Sequence, residues 1–303
     1  MSSTGRATAL FVGPHGGRAG WQFLLFFTIV FACAKSLDGL ITHVGGYQEP
    51  RGEWSAAGLL VDAALTFVSV VTGMALMARG ERRSLGDYGL PLRAHSASLF
   101  AQGVIVGFAA STFVLLMIWL SGAATLHGLA AGSGRVRGLL LWAVTMLFLG
   151  LAEELLYRGY PLFTFATGIG FWPAAALLSL LFGAAHLAKP NESAMDIASI
   201  VFFGLFWCFT RRRTGSLWFA IGFHAMWNYA AMMLYAAPNT GNGGRSVPGH
   251  LLEITYDGPA WLTGGVCGME ASVFSFVAIA ATFVLFARGH PRVEPRSPLR
   301  GAS

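Results

Sequence analysis

The sequence predicts an all-α polytopic membrane protein, with about eight transmembrane helices in a conical or bundle-like core around an intramembrane polar cavity. Three observations predict it. The chain is 55% hydrophobic and 11% charged, with a mean hydropathy of +0.60, whereas about a quarter of the residues in a soluble domain are charged. Apolar stretches of roughly 18 or more residues, long enough to cross a ~30 Å hydrocarbon core, recur along the chain. Finally, three of those stretches carry a concentrated set of acidic, imidazole and carboxamide side chains, Glu153-Glu154, His186 and His224…Asn228.

In chain order the apolar stretches cover 21–44, 55–78, 96–122, 138–166, 171–188, 195–212, 216–236 and 266–287. Together they make a transmembrane domain over 21–287, between an N-terminal segment 1–20 and an Arg/Pro-rich tail 288–303 expected to be disordered. The 39 glycines suit membrane helices, where small residues let backbones approach closely. Cys33, Cys208 and Cys267 lie in or beside apolar segments without CxxC spacing and read as small core residues.

The first stretch has a second reading. Arg6 and Arg18 precede an apolar run, and Ala32-Cys33-Ala34 resembles a signal-peptidase site. The apolar character resumes beyond Lys35 and Asp38, which favours a retained helix.

The net charge of +6 comes mostly from arginine, since Lys35 and Lys189 are the only lysines. The arginines sit between apolar stretches as topogenic charges. They are not gathered on one face with aromatics, the pattern of a nucleic-acid binder, so no nucleic-acid partner is expected. With the N-terminus in the cytoplasm, thirteen of the 20 basic residues fall in cytoplasmic segments and five outside. The positive-inside rule therefore places both termini in the cytoplasm. The arginine-rich composition points to a bacterial inner (plasma) membrane, with membrane lipid as one partner and a peptide or membrane-protein substrate as the other.

An ionisable group near the bilayer centre costs about 2.5–3.5 kcal/mol on insertion scales, so each one inside a span is a functional candidate. The fourth stretch holds Glu153, Glu154 and Arg158. Adjacent helical residues point about 100° apart, so the two glutamates cannot share one role. Glu154 and Arg158 stand four apart with the acid first, an arrangement in which each neutralises the other. Glu153 is left to face a polar cavity. The fifth stretch ends Phe182-Gly183-Ala184-Ala185-His186, and the seventh places His224 and Asn228 on one helical face. At 1.5 Å per residue, Glu153 and His186 lie roughly 20 and 22 Å from the same boundary, and His224 and Asn228 roughly 12 and 18 Å. These depths allow one site.

One carboxylate and two imidazoles match a His2Glu catalytic zinc set, with Glu153, His186 and His224 as ligands and water in the fourth position. The same residues also suit direct activation of water by Glu153 and His186 without metal. Asn228 is placed to donate to an oxyanion in either case. Two non-enzymatic readings use the same charges: a membrane scaffold or immunity protein acting by binding, and a small proton-coupled transporter.

The three motifs, Glu153-Glu154…Arg158, Phe182…His186 and His224…Asn228, resemble the EExxxR, FxxxH and HxxxN signatures of the CPBP family of intramembrane metalloproteases. That family takes in CAAX prenyl endopeptidases and bacterial bacteriocin-processing or self-immunity (Abi) proteins. The resemblance covers about 95–236. It implies peptide-bond hydrolysis in a water-filled intramembrane cavity. Glu153 and His186 would activate water, and His224 and Asn228 would complete the site. Glu154, Arg158 and Phe182 would support it, with Zn2+ as the implied cofactor.

Overall fold

A computed structural model of the 303-residue chain describes residues 12–13, 16–17, 19–45, 54–131 and 135–291. Most of the tail and most of segment 1–20 lie outside the described residues. The helices are α1 (Ala19–His43), α2 (Ala56–Glu81), α3 (Ala94–Leu120), α4 (Arg135–Arg158), α5 (Tyr160–Ile169), α6 (Phe171–His186), α7 (Ala194–Thr214), α8 (Trp218–Asn228) and α9 (Val273–Gly289). Helix α1 runs unbroken through Ala32–Ala34.

Every apolar stretch read from the sequence carries a helix, but the helices are not equal in length. Among the described residues, five are long and apolar enough to cross a membrane: α1, α2, α3, the segment Val136–Ile169 formed by α4 and α5, and α7. Helices α6 and α9 are apolar but have 16 and 17 residues. Helix α8 has 11 and continues as a π-helical turn, Tyr229–Leu234.

Two features depart from the all-α expectation. Strands β3 (Ala124–Leu129) and β4 (Leu252–Tyr256) pair antiparallel, with an irregularity between Leu126 and Gly128. A two-residue pair, β1 (Val12–Gly13) with β2 (Gly16–Gly17), precedes α1. The β4 sequence Leu-Glu-Ile-Thr-Tyr alternates with period two, and its even positions are the exposed ones. His127 bonds Thr255 across this ribbon, and His250 lies 3.3 Å from Glu253.

The fourth stretch is also not one helix. It breaks at Gly159, because Pro161 in the next turn lacks the N–H that a continuous helix would use. Arg211 of α7 donates to the carbonyls of Arg158 and Gly159, so the break is capped by a buried guanidinium.

Lipid tails are as apolar as leucine, so close packing and polar contacts order the helices rather than hydrophobic transfer. Helices α3 and α8 meet backbone to backbone. A Cβ on Gly103 would stand 2.1 Å from Phe219 O, and one on Gly222 would stand 2.3 Å from Phe100 O. Only glycine fits there, and the contact fixes the position of α8 and of His224 upon it. Helix α7 lies inside the bundle, where Phe203, Phe206 and Trp207 pack against Phe223 and Trp227. Helix α1 is peripheral and buries only Phe26 and Val30. At the end of α2, Glu81 ties α1, α5 and the following loop together. It accepts from Tyr160 Oη at 2.6 Å, Tyr88 Oη at 2.8 Å and Gln22 Nε2 at 3.2 Å.

Candidate active site

The fold brings Glu153 (α4), His186 (α6), and His224 and Asn228 (α8) to the wall of one cavity of about 50 Å3, with Phe182 also on its lining. A water needs roughly 10–15 Å3 measured in this way, so the space holds a few waters and no peptide. The sequence residues do converge.

Glu154 and Arg158 pair as their spacing predicts, with Arg158 Nη1 donating to Glu154 Oε1 at 3.0 Å and both side chains fully buried. The pair does more than neutralise itself. His224 Nδ1 lies 3.0 Å from the same Glu154 oxygen. A carboxylate of this kind accepts, so Nδ1 carries the proton and Nε2 is turned toward the cavity. Nε2 stands 3.5 Å from Glu153 Oε2. Adjacent glutamates on one helix thus address the two nitrogens of one imidazole, which is the division of roles that their 100° separation demands. Glu154 sets the ring, and Glu153, half-exposed, works in the cavity.

His186 is set by the other motif. Its Nδ1 is 2.9 Å from Phe182 O one turn back, so that nitrogen donates and Nε2 presents its lone pair. Phe182 serves the site in three ways. Its carbonyl orients His186, its ring meets the His186 ring edge-on at 4.9 Å, and it lies 4.3 Å from the Arg158 guanidinium.

Several participants escaped sequence reasoning. Trp207 stacks on His224 at 4.3 Å and 15°, and lies 5.1 Å from Arg158 on α4, so one indole holds both side chains in place. Lys189, Asn239 and Glu270 also line the cavity. No sequence signal marks Trp207, because an aromatic on an apolar helix has no distinctive neighbours. Lys189 and Glu192, three and six residues past His186, did carry one: charge clustered at a helix end beside a candidate ligand.

The donor set has the composition of a zinc site. Glu153 Oε2 and His224 Nε2 present lone pairs to the same point, so a proton or a cation belongs between them. His186 joins them on the cavity wall, but the three ligand atoms are not within 4.8 Å of one another. The set of three that satisfies that distance among the described residues lies elsewhere, at Glu192, Asp196 and Cys267.

A second cavity, of about 250 Å3, shares Leu149, Glu153, Phe182, His186 and Lys189 with the first and extends between α2, α4 and α6. Its remaining wall is mostly apolar, formed by Leu59, Ala63, Leu156 and their neighbours, with Asp62 and Thr66 of α2 on one side.

No curated protein and no solved structure matches the chain. Residues 135–230, a span that holds all three motifs and every site residue named from the sequence, match the model of the type II CAAX prenyl endopeptidase Rce1-like family, in agreement with the resemblance carried by the motifs.

Proposed function

We propose that the chain is an intramembrane endopeptidase that hydrolyses a peptide bond of a membrane-associated peptide or protein, with water activated by Glu153 and His186. The observation that carries this reading is the convergence of Glu153, His186, His224 and Asn228 from three helices on one water-sized cavity. A water in that cavity donates to the Glu153 carboxylate and to the His186 Nε2 lone pair. Glu153 takes a proton as the water oxygen attacks the scissile carbonyl. The oxyanion is met by the Asn228 amide, and Glu153 then returns the proton to the leaving amine. The adjoining apolar cavity between α2, α4 and α6 supports lateral approach of an apolar substrate segment.

Zn2+ is the second reading, favoured by the lone pairs that Glu153 and His224 aim at each other. Glu153, His186 and His224 would hold it, and it would supply a water of lowered pKa. The excess of cytoplasmic arginine supports a bacterial plasma membrane with both termini inside.

The test is cleavage of quenched-fluorescent peptides with an apolar segment by the detergent-purified full chain. Activity in wild type, with a loss of about 10²–10⁴-fold in folded Glu153→Gln and His186→Ala, is the expected result. Activity that survives in both sinks the assignment. Elemental analysis of wild type, His186→Ala and His224→Ala decides the metal. One equivalent of zinc lost in both variants supports it, and unchanged metal content removes it.

A further inference from the structure

Asp196 occupies the first turn of α7, where Ser193 caps the helix by accepting from Asp196 N at 3.1 Å. An acid at this position ordinarily reaches back to the cap residue's own N–H. Asp196 does not. Its side chain is 1% exposed, and neither carboxylate oxygen has a hydrogen-bond partner. It points instead at Glu192 and Cys267, and one ligand atom from each of the three lies within 4.8 Å of the others. Glu192 Oε1 accepts from Thr240 at 2.6 Å, but its other oxygen is also buried without a partner. Among the described residues neither acid makes an ion pair. Two buried carboxylates with three empty oxygens between them are expensive unless something positive lies there.

We propose that Glu192, Asp196 and Cys267 form a second cation site, for a divalent ion of zinc type, separate from the Glu153 site. The ligand chemistry selects the class, since two carboxylates with one thiol suit zinc or a close relative and not magnesium or calcium, which take oxygen alone. Ligand atoms around tetrahedral zinc stand about 3.3–3.8 Å apart, so the cluster closes by a small contraction. The thiol, which donates to Asn191 O at 3.5 Å, gives its proton to solvent as it binds. The site draws on the loop after α6, the first turn of α7 and the turn before α9. A cation there staples those segments behind Glu270, which lines the catalytic cavity three residues beyond Cys267.

Cobalt distinguishes this site from the catalytic one, because only this one offers sulfur. The chelator-stripped, detergent-purified full chain is titrated with Co2+, and thiolate-to-cobalt charge transfer is followed in the near ultraviolet. The expected result is a band that saturates in wild type and is absent from Cys267→Ser. It should need at least about tenfold more Co2+ in Asp196→Asn and Glu192→Gln and be unchanged in Cys208→Ser and His186→Ala. A wild-type protein without the band overturns the proposal, as does a band that survives Cys267→Ser or vanishes in Cys208→Ser. If Cys267→Ser fails to fold, Glu192→Gln gives the same reading from a half-exposed loop position. A wild type that takes no Co2+, together with a more heat-stable Asp196→Asn, assigns the cluster to a shared proton instead. Peptide cleavage is not part of the readout, so this site and the protease reading fail independently.

Discussion

The carboxylate at the end of α2 and those around the catalytic cavity are both surrounded by apolar helices, yet they are built to opposite rules. Glu81 is saturated: two tyrosine hydroxyls and a glutamine amide fill its oxygens, and the Arg83 guanidinium stands 3.7 Å away. Around the cavity, Glu154 Oε2, Glu192 Oε2, both Asp196 oxygens and two nitrogens of Arg158 are buried without partners. A polar group whose bonds are all made within the chain holds the fold together and has nothing left for a ligand. One whose bonds are unmade costs stability, and that cost is offset only when water, substrate or an ion arrives.

That contrast breaks most sharply at Glu153 and Glu81. Glu153→Gln should lower peptide cleavage by about 10²–10⁴-fold and leave the melting temperature nearly unchanged, because Glu153 is partly exposed and makes no saturated network. Cleavage assays and thermal denaturation on the same preparation check both halves. Next in size is Arg158→Met, which strands the fully buried Glu154 charge that orients His224 through Nδ1. A loss of about 3–5 kcal/mol is expected, read as a collapse of thermal stability together with activity. Glu81→Gln should cost about 1–3 kcal/mol and leave kcat intact in the protein that remains folded. A fall in kcat there would erase the distinction between the two regions.

One pH effect is smaller, and it lies at Asp87. The Ser84 N–H and hydroxyl hold its carboxyl below 3.8, at 2.9 and 3.1 Å. Its contribution is complete above 3.8 and is lost as pH falls through the lower folded value. Asp87→Asn should show a slightly smaller drop in melting temperature between neutral and strongly acidic pH.

The candidate site residues were legible because an apolar helix makes any charge conspicuous. Glu153, His186 and His224 stand out against leucine and alanine, and the Glu154–Arg158 spacing announces its own pairing. What their partners do was not legible. Nothing in the spacing says that Glu154 also accepts a hydrogen bond from His224, or that Trp207 lies flat on that ring, because both contacts join residues more than fifteen positions apart. The apolar helices of the fold were read in place, since length and hydropathy are local properties. The break at Gly159 carried a signal in Gly-Tyr-Pro that continuous hydropathy concealed. The β3–β4 ribbon was missed because its two strands lie over 120 residues apart.

The shortness of α6 and α8 has a consequence for the lipid. At 1.5 Å per residue, 16 and 11 residues span about 24 and 16 Å, against a ~30 Å hydrocarbon layer. A bilayer meets short apolar elements by thinning, at a fraction of a kcal/mol per Å. Helix α8 is buried inside the bundle, so the effect falls on α6, whose outer face is exposed, and around it a bilayer would be locally shallow. Under the proposed function, a helical substrate drifting into that dimple would lose part of its hydrocarbon cover, and its end residues would come out into the headgroup zone, where backbone amides can exchange their helical bonds for water. Hydrophobic mismatch would thus help to unwind the segment before the site touches it.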